Sequence, residues 1–171
     1  MQPFKVIGAV AVLMIPGVAF GQGSPLPSEV QGSYAHIKAN LLKAADKMPA
    51  ESYSFKPMPD VRSFARVVNH VTEAQMHICD ASNGAASDAK MPTETADKAA
   101  IVEALKASFA ECDKAYAGLT DANMAELLGT GTAKRTRLSM LWGNVAHDNE
   151  QYATLSLYLR LKGIVPPSSE K

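Results

Sequence analysis

Four stretches of the chain place apolar residues three and four positions apart, which is the spacing of a helix with one buried face. In the first stretch these residues are Val30, Tyr34, Ile37, Leu41, Ala44 and Met48. Segments that contain proline or glycine separate the stretches, and none of the four shows the strict alternation of a surface strand. An isolated amphipathic helix is unstable in water, so the four helices must cover one another's apolar faces. The sequence therefore predicts an all-α, up-and-down four-helix bundle.

Capping residues and helix breakers set the predicted ends of these helices. The predicted N-terminal caps are Ser28 for the first helix, Asp60 or Ser63 for the second, and Thr93 for the third. The fourth helix is predicted over residues 133–162, because Gly163 is a natural helix end and two prolines follow it. Its predicted core stripe consists of Leu138, Leu141, Trp142, Val145, Tyr152, Leu155 and Leu159.

The N-terminal segment has the order of a secretory signal. A single basic residue, Lys5, precedes an apolar run over residues 6–20, and small residues then occupy the cleavage positions. The run is shorter than the roughly 20 residues that a helix needs to cross a bilayer. The sequence therefore predicts a cleaved signal peptide over residues 1–21 and a mature domain over residues 22–171. This domain is expected to be periplasmic or secreted, with no membrane span. An uncleaved N-terminal anchor is the less favoured alternative.

Export changes the interpretation of the only two cysteines. Cys79 falls on the predicted second helix, and Cys112 falls on the apolar stripe of the third. Extracytoplasmic compartments are oxidising, so two cysteines on successive helices favour a disulfide between them. Two buried free thiols, packed as small apolar side chains, are the alternative.

Charge restricts the class of partner. The chain has 17 basic and 17 acidic residues, and its formal net charge is zero. A protein that binds nucleic acid usually has an excess of basic residues, so nucleic acid is excluded as the main partner. An unidentified small molecule is the expected ligand, and a homodimer is left open.

The four histidines lie on different helices, except for His70 and His77. Those two are seven residues apart, a rise of about 10.5 Å along one helix face, which is too far for one metal ion. A site for a single ion must therefore draw its ligands from different helices. His147 and Gln151 share an uncharged stripe of the last helix with Met140, Asn144, Thr154 and Tyr158. This stripe indicates that His147 faces a groove between helices. A hydrogen-bonded core histidine is the structural alternative.

Two regions of the sequence resemble a known family. The first is the run from His147 to Tyr152, His-Asp-Asn-Glu-Gln-Tyr, together with residues 157–169. The second comprises residues 53–57, with the sequence Tyr-Ser-Phe-Lys-Pro, and residues 61–71, which include His70. Both regions resemble DinB-like four-helix proteins, and the likeness extends over nearly all of the predicted mature chain. The family includes metal-dependent enzymes, some of which are thiol-dependent S-transferases.

The resemblance implies a metal site. In the family one histidine lies on the second helix, and two lie four residues apart on the last helix. His70 and His147 match the first two positions, and Gln151 occupies the third. The implied cofactor is a divalent metal ion, either zinc, nickel or iron, and the implied activity is that of a metal-dependent hydrolase or transferase. A thiol transferase is less favoured, because thiol cofactors are mainly cytosolic.

The glutamine leaves three interpretations open. Gln151 could bind the metal through its amide oxygen, which is a weaker ligand than imidazole for these ions. A carboxylate could replace the missing histidine, with Glu73 and Glu150 as the candidates. The site could also have decayed, which would leave a non-catalytic envelope module with a degenerate metal site. A di-metal site is disfavoured, because its Glu-x-x-His order is reversed here.

Overall fold

The computed structural model describes residues 23–85 and 91–171, and four long helices contain most of them. The helices are α1 (Leu26–Lys47), α2 (Phe64–Asn83), α3 (Lys98–Ala117) and α4 (Arg137–Leu161). Short 3₁₀ turns cover Ala50–Ser52, Gly131–Ala133 and Pro167–Ser169. The predicted four-helix bundle is confirmed. The predicted signal peptide lies outside the described residues.

Helices α2 and α3 run side by side in the same direction. Ser108 donates a hydrogen bond of 2.6 Å to the amide oxygen of Gln75. One turn further along both helices, Cys79 and Cys112 are joined by a disulfide, with their Cα atoms 4.9 Å apart. The residue numbers of α2 and α3 increase in the same direction from one contact to the next, so the two helices are parallel and the predicted up-and-down order, in which successive helices alternate in direction, is wrong. The predicted disulfide is confirmed.

The segment between α2 and α3 explains this parallel pairing. In a bundle whose helices simply alternate in direction, α3 would turn back at the C-terminal end of α2. Here the chain returns to the N-terminal end of α2 first, where Asn69 donates to the carbonyl of Pro92 at 2.9 Å and Ser63 donates to Glu94 at 2.9 Å. The connection is long enough for this return, because residues 84–97, at roughly 3.3 Å of reach each, can span about 46 Å, whereas the 20 residues of α2 rise by about 30 Å.

The other two helices run in the opposite direction to this pair. Along α1, Gln31 donates to the carbonyl of Tyr116, whereas Lys38 pairs two turns later with Asp113. Helix α4 is likewise antiparallel to α2, because its N-terminal turns lie beside the last turns of α2. Around the bundle the order is α1, α4, α2, α3, so the groove between α2 and α4 lies on one face of the molecule.

The core contains the apolar stripes that periodicity predicted, with one exception. Its largest fully buried side chains include Ile37, Leu41, Phe64, Leu105, Phe109, Tyr116, Leu141 and Leu155. Trp142 was predicted in the core, and this is wrong, because 51% of the residue is exposed. Adjacent positions on a helix differ by about 100°, so the buried Leu141 directs its neighbour Trp142 away from the bundle axis.

Several predicted helix starts move by a few residues. Helix α1 begins at Leu26, before the predicted cap Ser28, because Pro27 is well suited to a first helical turn. Ser63 is confirmed as the cap of α2, where it accepts a hydrogen bond from the backbone of Arg66 at 3.1 Å. The cap of α3 is Asp97 and not Thr93, so the helix begins later than predicted.

We expect Asp97→Ala to lower the free energy of unfolding by about 1 kcal/mol. Its carboxylate accepts a 2.7 Å hydrogen bond from the backbone N–H of Ala100, which would otherwise lack a partner in the first turn of α3. Urea denaturation would measure the loss. Asp60→Ala is the matched control, because Asp60 is exposed and caps no helix. Equal losses in the two variants would contradict a capping role.

A two-residue antiparallel pairing precedes α4, where no strand was predicted. Leu127–Leu128 (β1) pairs with Arg135–Thr136 (β2), with Leu127 opposite Thr136. Two residues are too few to produce a recognisable alternation in the sequence. The pairing fixes the backbone of Arg135 at the entrance to α4.

Within residues 23–85 and 91–171, no helix combines the length and the apolar character that crossing a membrane requires.

Candidate metal site

Two histidines face each other across the groove between α2 and α4. The Nε2 atoms of His70 and His147 lie 3.2 Å apart, and the two rings meet edge to face at 73°. Both side chains are partly buried, with 27% and 24% of their surface exposed. The structure thus brings together the two histidines that the sequence placed on different helices.

Each histidine has a carboxylate near its other ring nitrogen. The Nδ1 atom of His70 lies 3.7 Å from a carboxylate oxygen of Glu73, and that of His147 lies 3.7 Å from Asp148. Arg66 holds the Glu73 carboxylate with contacts of 3.0 Å to both of its oxygens. In metal sites a carboxylate at this position commonly accepts the N–H of the ligand histidine and orients its ring.

Asp148 is completely buried, although it is a carboxylic acid. Its Oδ2 atom accepts a 3.2 Å hydrogen bond from the side-chain amide of Gln75. Its Oδ1 atom and the Nδ1 atom of His147 have no hydrogen-bond partner within the part of the chain that the structure describes. Burial raises the pKa of the Asp148 carboxyl, against the smaller opposing effects of His147 and Gln75. A small rotation would let His147 donate to this carboxyl.

The surroundings of His70 lower its pKa and so favour the neutral form of its ring. Burial lowers its pKa, and the positive charges of Arg62 and Arg66 act in the same direction. The Glu73 carboxylate opposes this shift. A neutral imidazole has a free nitrogen lone pair, which is what a metal ligand requires.

A buried polar network continues from Asp148 into the bundle. Gln75 links Asp148 to Ser108, and Asn144 donates to the hydroxyl of Tyr116 at 3.2 Å. That hydroxyl in turn donates to the carbonyl of Leu141 at 2.8 Å. Burial of this many polar groups is costly unless they bind one another, so the network fixes the register of α2, α3 and α4.

Sequence reasoning missed Asp148, although a signal for it was present. Leu141, Val145, Asp148, Tyr152 and Leu155 follow one another at spacings of four and three. Asp148 is therefore an acidic residue on the apolar stripe of α4. A charged residue at such a position is rarely buried without a partner, so the spacing alone could have identified it.

Neither of the two carboxylates predicted as substitute ligands faces the Nε2 atoms of the histidine pair. Glu150 is exposed on the outer face of α4. Glu73 lies beside Nδ1 of His70, which is the ring nitrogen opposite the one that faces His147. Neither carboxylate completes the site in this arrangement. Gln151 follows His147 by one turn on the same face of α4 and is buried, with 7% exposed.

The contact observed in the groove therefore joins two imidazoles, and only the helical spacing from His147 relates Gln151 to them. Among residues 23–85 and 91–171, no three His, Cys, Asp or Glu side chains come close enough together to hold a metal ion. The imidazole pair itself fits an ion. Two nitrogens that bind one tetrahedral zinc at about 2.0–2.1 Å lie about 3.3 Å apart. The observed separation of the Nε2 atoms is 3.2 Å.

This chain belongs to the DinB superfamily, whose family model matches residues 34–155. The family resemblance identified from the sequence is thus confirmed. The match includes the histidine pair and Gln151. No curated protein matches the chain.

Solved structures share the fold at low sequence identity. A DinB-like protein from Bacillus cereus is 16% identical, with a TM-score of 0.66 over 82% of this chain and 95% of its own. A DinB-like protein from Bacillus subtilis is 18% identical, with a TM-score of 0.66 over 84% of this chain and 99% of its own. A conserved protein from Enterococcus faecalis is 12% identical, with a TM-score of 0.64 over 82% and 98%.

Proposed function

We propose that this protein is an exported metal-dependent hydrolase or transferase that acts on an unidentified small molecule. One divalent ion, either zinc, nickel or iron, would be held by His70 and His147, with Gln151 at the third position. The observation that carries this proposal is the 3.2 Å separation of the two Nε2 atoms, combined with a carboxylate behind each ring.

The surroundings of the pair support metal binding over a simple hydrogen bond. A hydrogen bond between two imidazoles needs only one donor and one acceptor, and it does not require a carboxylate near either outer nitrogen. Here Glu73 and Asp148 can each accept an Nδ1–H, which leaves both Nε2 lone pairs directed into the groove. Both rings would then be presented in the tautomer that a shared ion requires.

The ion would supply Lewis acidity to a substrate oxygen or to a water molecule. The chain's own groups would have separate tasks. Arg66 and Glu73 would hold the ring of His70, whereas the buried Gln75 and Asp148 would hold that of His147. The Gln151 amide would add an oxygen donor, which zinc, nickel and iron accept less strongly than imidazole. We therefore expect weaker metal binding than a site with three histidines would give.

The disulfide supports the proposed export to the periplasm or the exterior. Cytosolic thiols are kept reduced, so structural disulfides are concentrated in exported proteins. The Cys79–Cys112 bond is buried between α2 and α3, where it cross-links the two helices.

We expect the untagged wild type to retain or rebind about one divalent ion per chain, and His147→Ala to weaken that binding by at least about 100-fold. The loss follows because a single imidazole and an amide would remain in the groove. Elemental analysis after purification, followed by zinc titration of the metal-free protein, would measure both quantities.

His36→Ala is the matched control, because His36 is exposed on α1 and the hydrogen-bond partner of its ring among the described residues is Asn40. Circular dichroism would establish that both variants fold. A folded wild type that neither contains nor rebinds metal would overturn the proposal.

The substitution at Gln151 favours one alternative from another class. In that alternative the protein is a non-catalytic envelope module, and the metal site has decayed. Within the described ranges, no three His, Cys, Asp or Glu side chains are placed to hold one ion, which supports this alternative. The same titration separates the two proposals, because a decayed site would not bind zinc in the wild type.

A further inference from the structure

A second concave site lies in the groove between α2 and α4, apart from the histidine pair. It has a volume of about 370 Å³. Its walls are His77 and Ala81 from α2, Met140 and Gly143 from α4, and Arg135 from β2. The hollow is open at Gly143, where an added Cβ atom would meet no atom within 4 Å.

Helix geometry places this hollow in line with the histidine pair. His77 follows His70 by seven residues on α2, and Met140 precedes His147 by seven on α4. Positions seven apart share a helix face, and two turns correspond to about 10.5 Å. The two helices are antiparallel, so both shifts lead in the same direction along the groove. The hollow and the histidine pair are therefore two points of one groove.

The walls of the hollow combine apolar surface with groups that can bind an anion. Arg135 is exposed at the rim, and its guanidinium offers several N–H donors. The guanidinium of nearby Arg137 already donates hydrogen bonds to Glu126 at 2.7 Å and to the carbonyl of Ser82 at 2.6 Å. No acidic side chain lines the hollow among the described residues. Met140 and its small neighbours provide the apolar part.

We propose that this hollow binds a small organic anion with an apolar body, whose carboxylate pairs with Arg135. This inference rests on the proposed function, because it makes the occupant the substrate of the histidine site. The apolar body would lie over Gly143 and Met140, and its far end would extend along the groove towards His147. The proposed substrate class is thus a small carboxylate that is modified at the end remote from its charge.

Hexanoate is the probe, with hexan-1-ol as its uncharged match. We expect hexanoate to shift the amide resonance of Ala81, which also lines the hollow, in a saturable manner, and hexan-1-ol to bind about tenfold more weakly. Arg135→Gln should weaken hexanoate binding by about tenfold, which is the size of one lost hydrogen bond to a charged group. Gly143→Leu should abolish binding, because its side chain would fill the hollow.

Two controls exclude nonspecific charge effects and unfolding as the cause of a change in hexanoate binding. Lys134→Gln removes the neighbouring cation, which does not line the hollow, and should leave hexanoate binding unchanged. Gly143→Leu raises helix propensity, and circular dichroism would establish that this variant folds, so that loss of binding is not due to unfolding. Equal binding of hexanoate and hexan-1-ol, shifts that map elsewhere, or no saturable shift would overturn the inference.

Zinc binding, measured on the same samples, separates this inference from the proposed function. Zinc binding without hexanoate binding would refute anion binding in the hollow and leave the proposed metal site in place. Hexanoate binding without zinc binding would retain the hollow as an anion site and refute its role in metal-dependent catalysis.

Discussion

Replacing Gln151 with His is expected to raise the affinity of the protein for zinc by at least about 100-fold. The new imidazole would follow His147 by one helical turn, on the face that borders the groove. Loss of a group that merely orients a metal ligand typically costs 10- to 100-fold in affinity, so gain of a direct imidazole ligand should exceed that range. The amide that it replaces is a weak ligand for zinc.

Competition with a chromophoric chelator would measure the two affinities. Thr154→His is the matched control, because position 154 follows His147 by seven residues, which is about 10.5 Å and beyond the reach of a shared ion. That variant should bind zinc no better than the wild type. Tight zinc binding by the wild type, with no gain in Gln151→His, would show that Gln151 is already an effective ligand. It would also refute the decayed site.

The fold was predictable because each helix has an apolar stripe of its own. The helix directions were not, because they depend on where the segment after α2 lies. Asn69 and Ser63 hold that segment against the start of α2, and these are contacts between residues far apart in sequence. No local pattern reports such contacts. The prediction that Trp142 is buried failed for a simpler reason. Hydrophobicity alone does not distinguish a residue at the centre of an apolar stripe from one at its edge.

The candidate site was predictable in part. Periodicity indicated that His147 faces a groove, and the family resemblance selected His70 as its partner. The roles of Gln75 and Asp148 were missed, because their contact joins α2 to α4 at a register that only packing determines. The place of Arg135 at the rim of the hollow depends on the β1–β2 pairing, which is too short to be visible in the sequence.

Reduction of the Cys79–Cys112 disulfide is expected to lower the free energy of unfolding by about 3–4 kcal/mol. The bond joins residues 33 positions apart, and a cross-link restricts the unfolded chain more as the loop that it closes lengthens. Urea denaturation with and without reductant, with thiol titration to establish that the bond is open, would measure the loss. The oxidised and the fully reduced protein would be unfolded as separate samples, so that the disulfide state is constant within each two-state analysis.

The double variant Cys79→Ala and Cys112→Ala is the control for the reductant. It should be as unstable as the reduced wild type, or slightly more so because two sulfur atoms leave a small cavity, and it should not respond to reductant. A wild type whose stability is the same after complete reduction would contradict the prediction.

The position of the disulfide also tests how the histidine pair of the proposed metal site is held. Each cysteine lies one turn beyond a member of the Gln75–Ser108 hydrogen bond, and Gln75 in turn holds Asp148 behind His147. We expect the reduced protein to bind zinc with unchanged affinity under conditions in which it remains folded, because the side-chain network itself fixes the register there. A parallel loss of zinc affinity would instead show that the network alone does not hold His147, and that the cross-link is needed to position it.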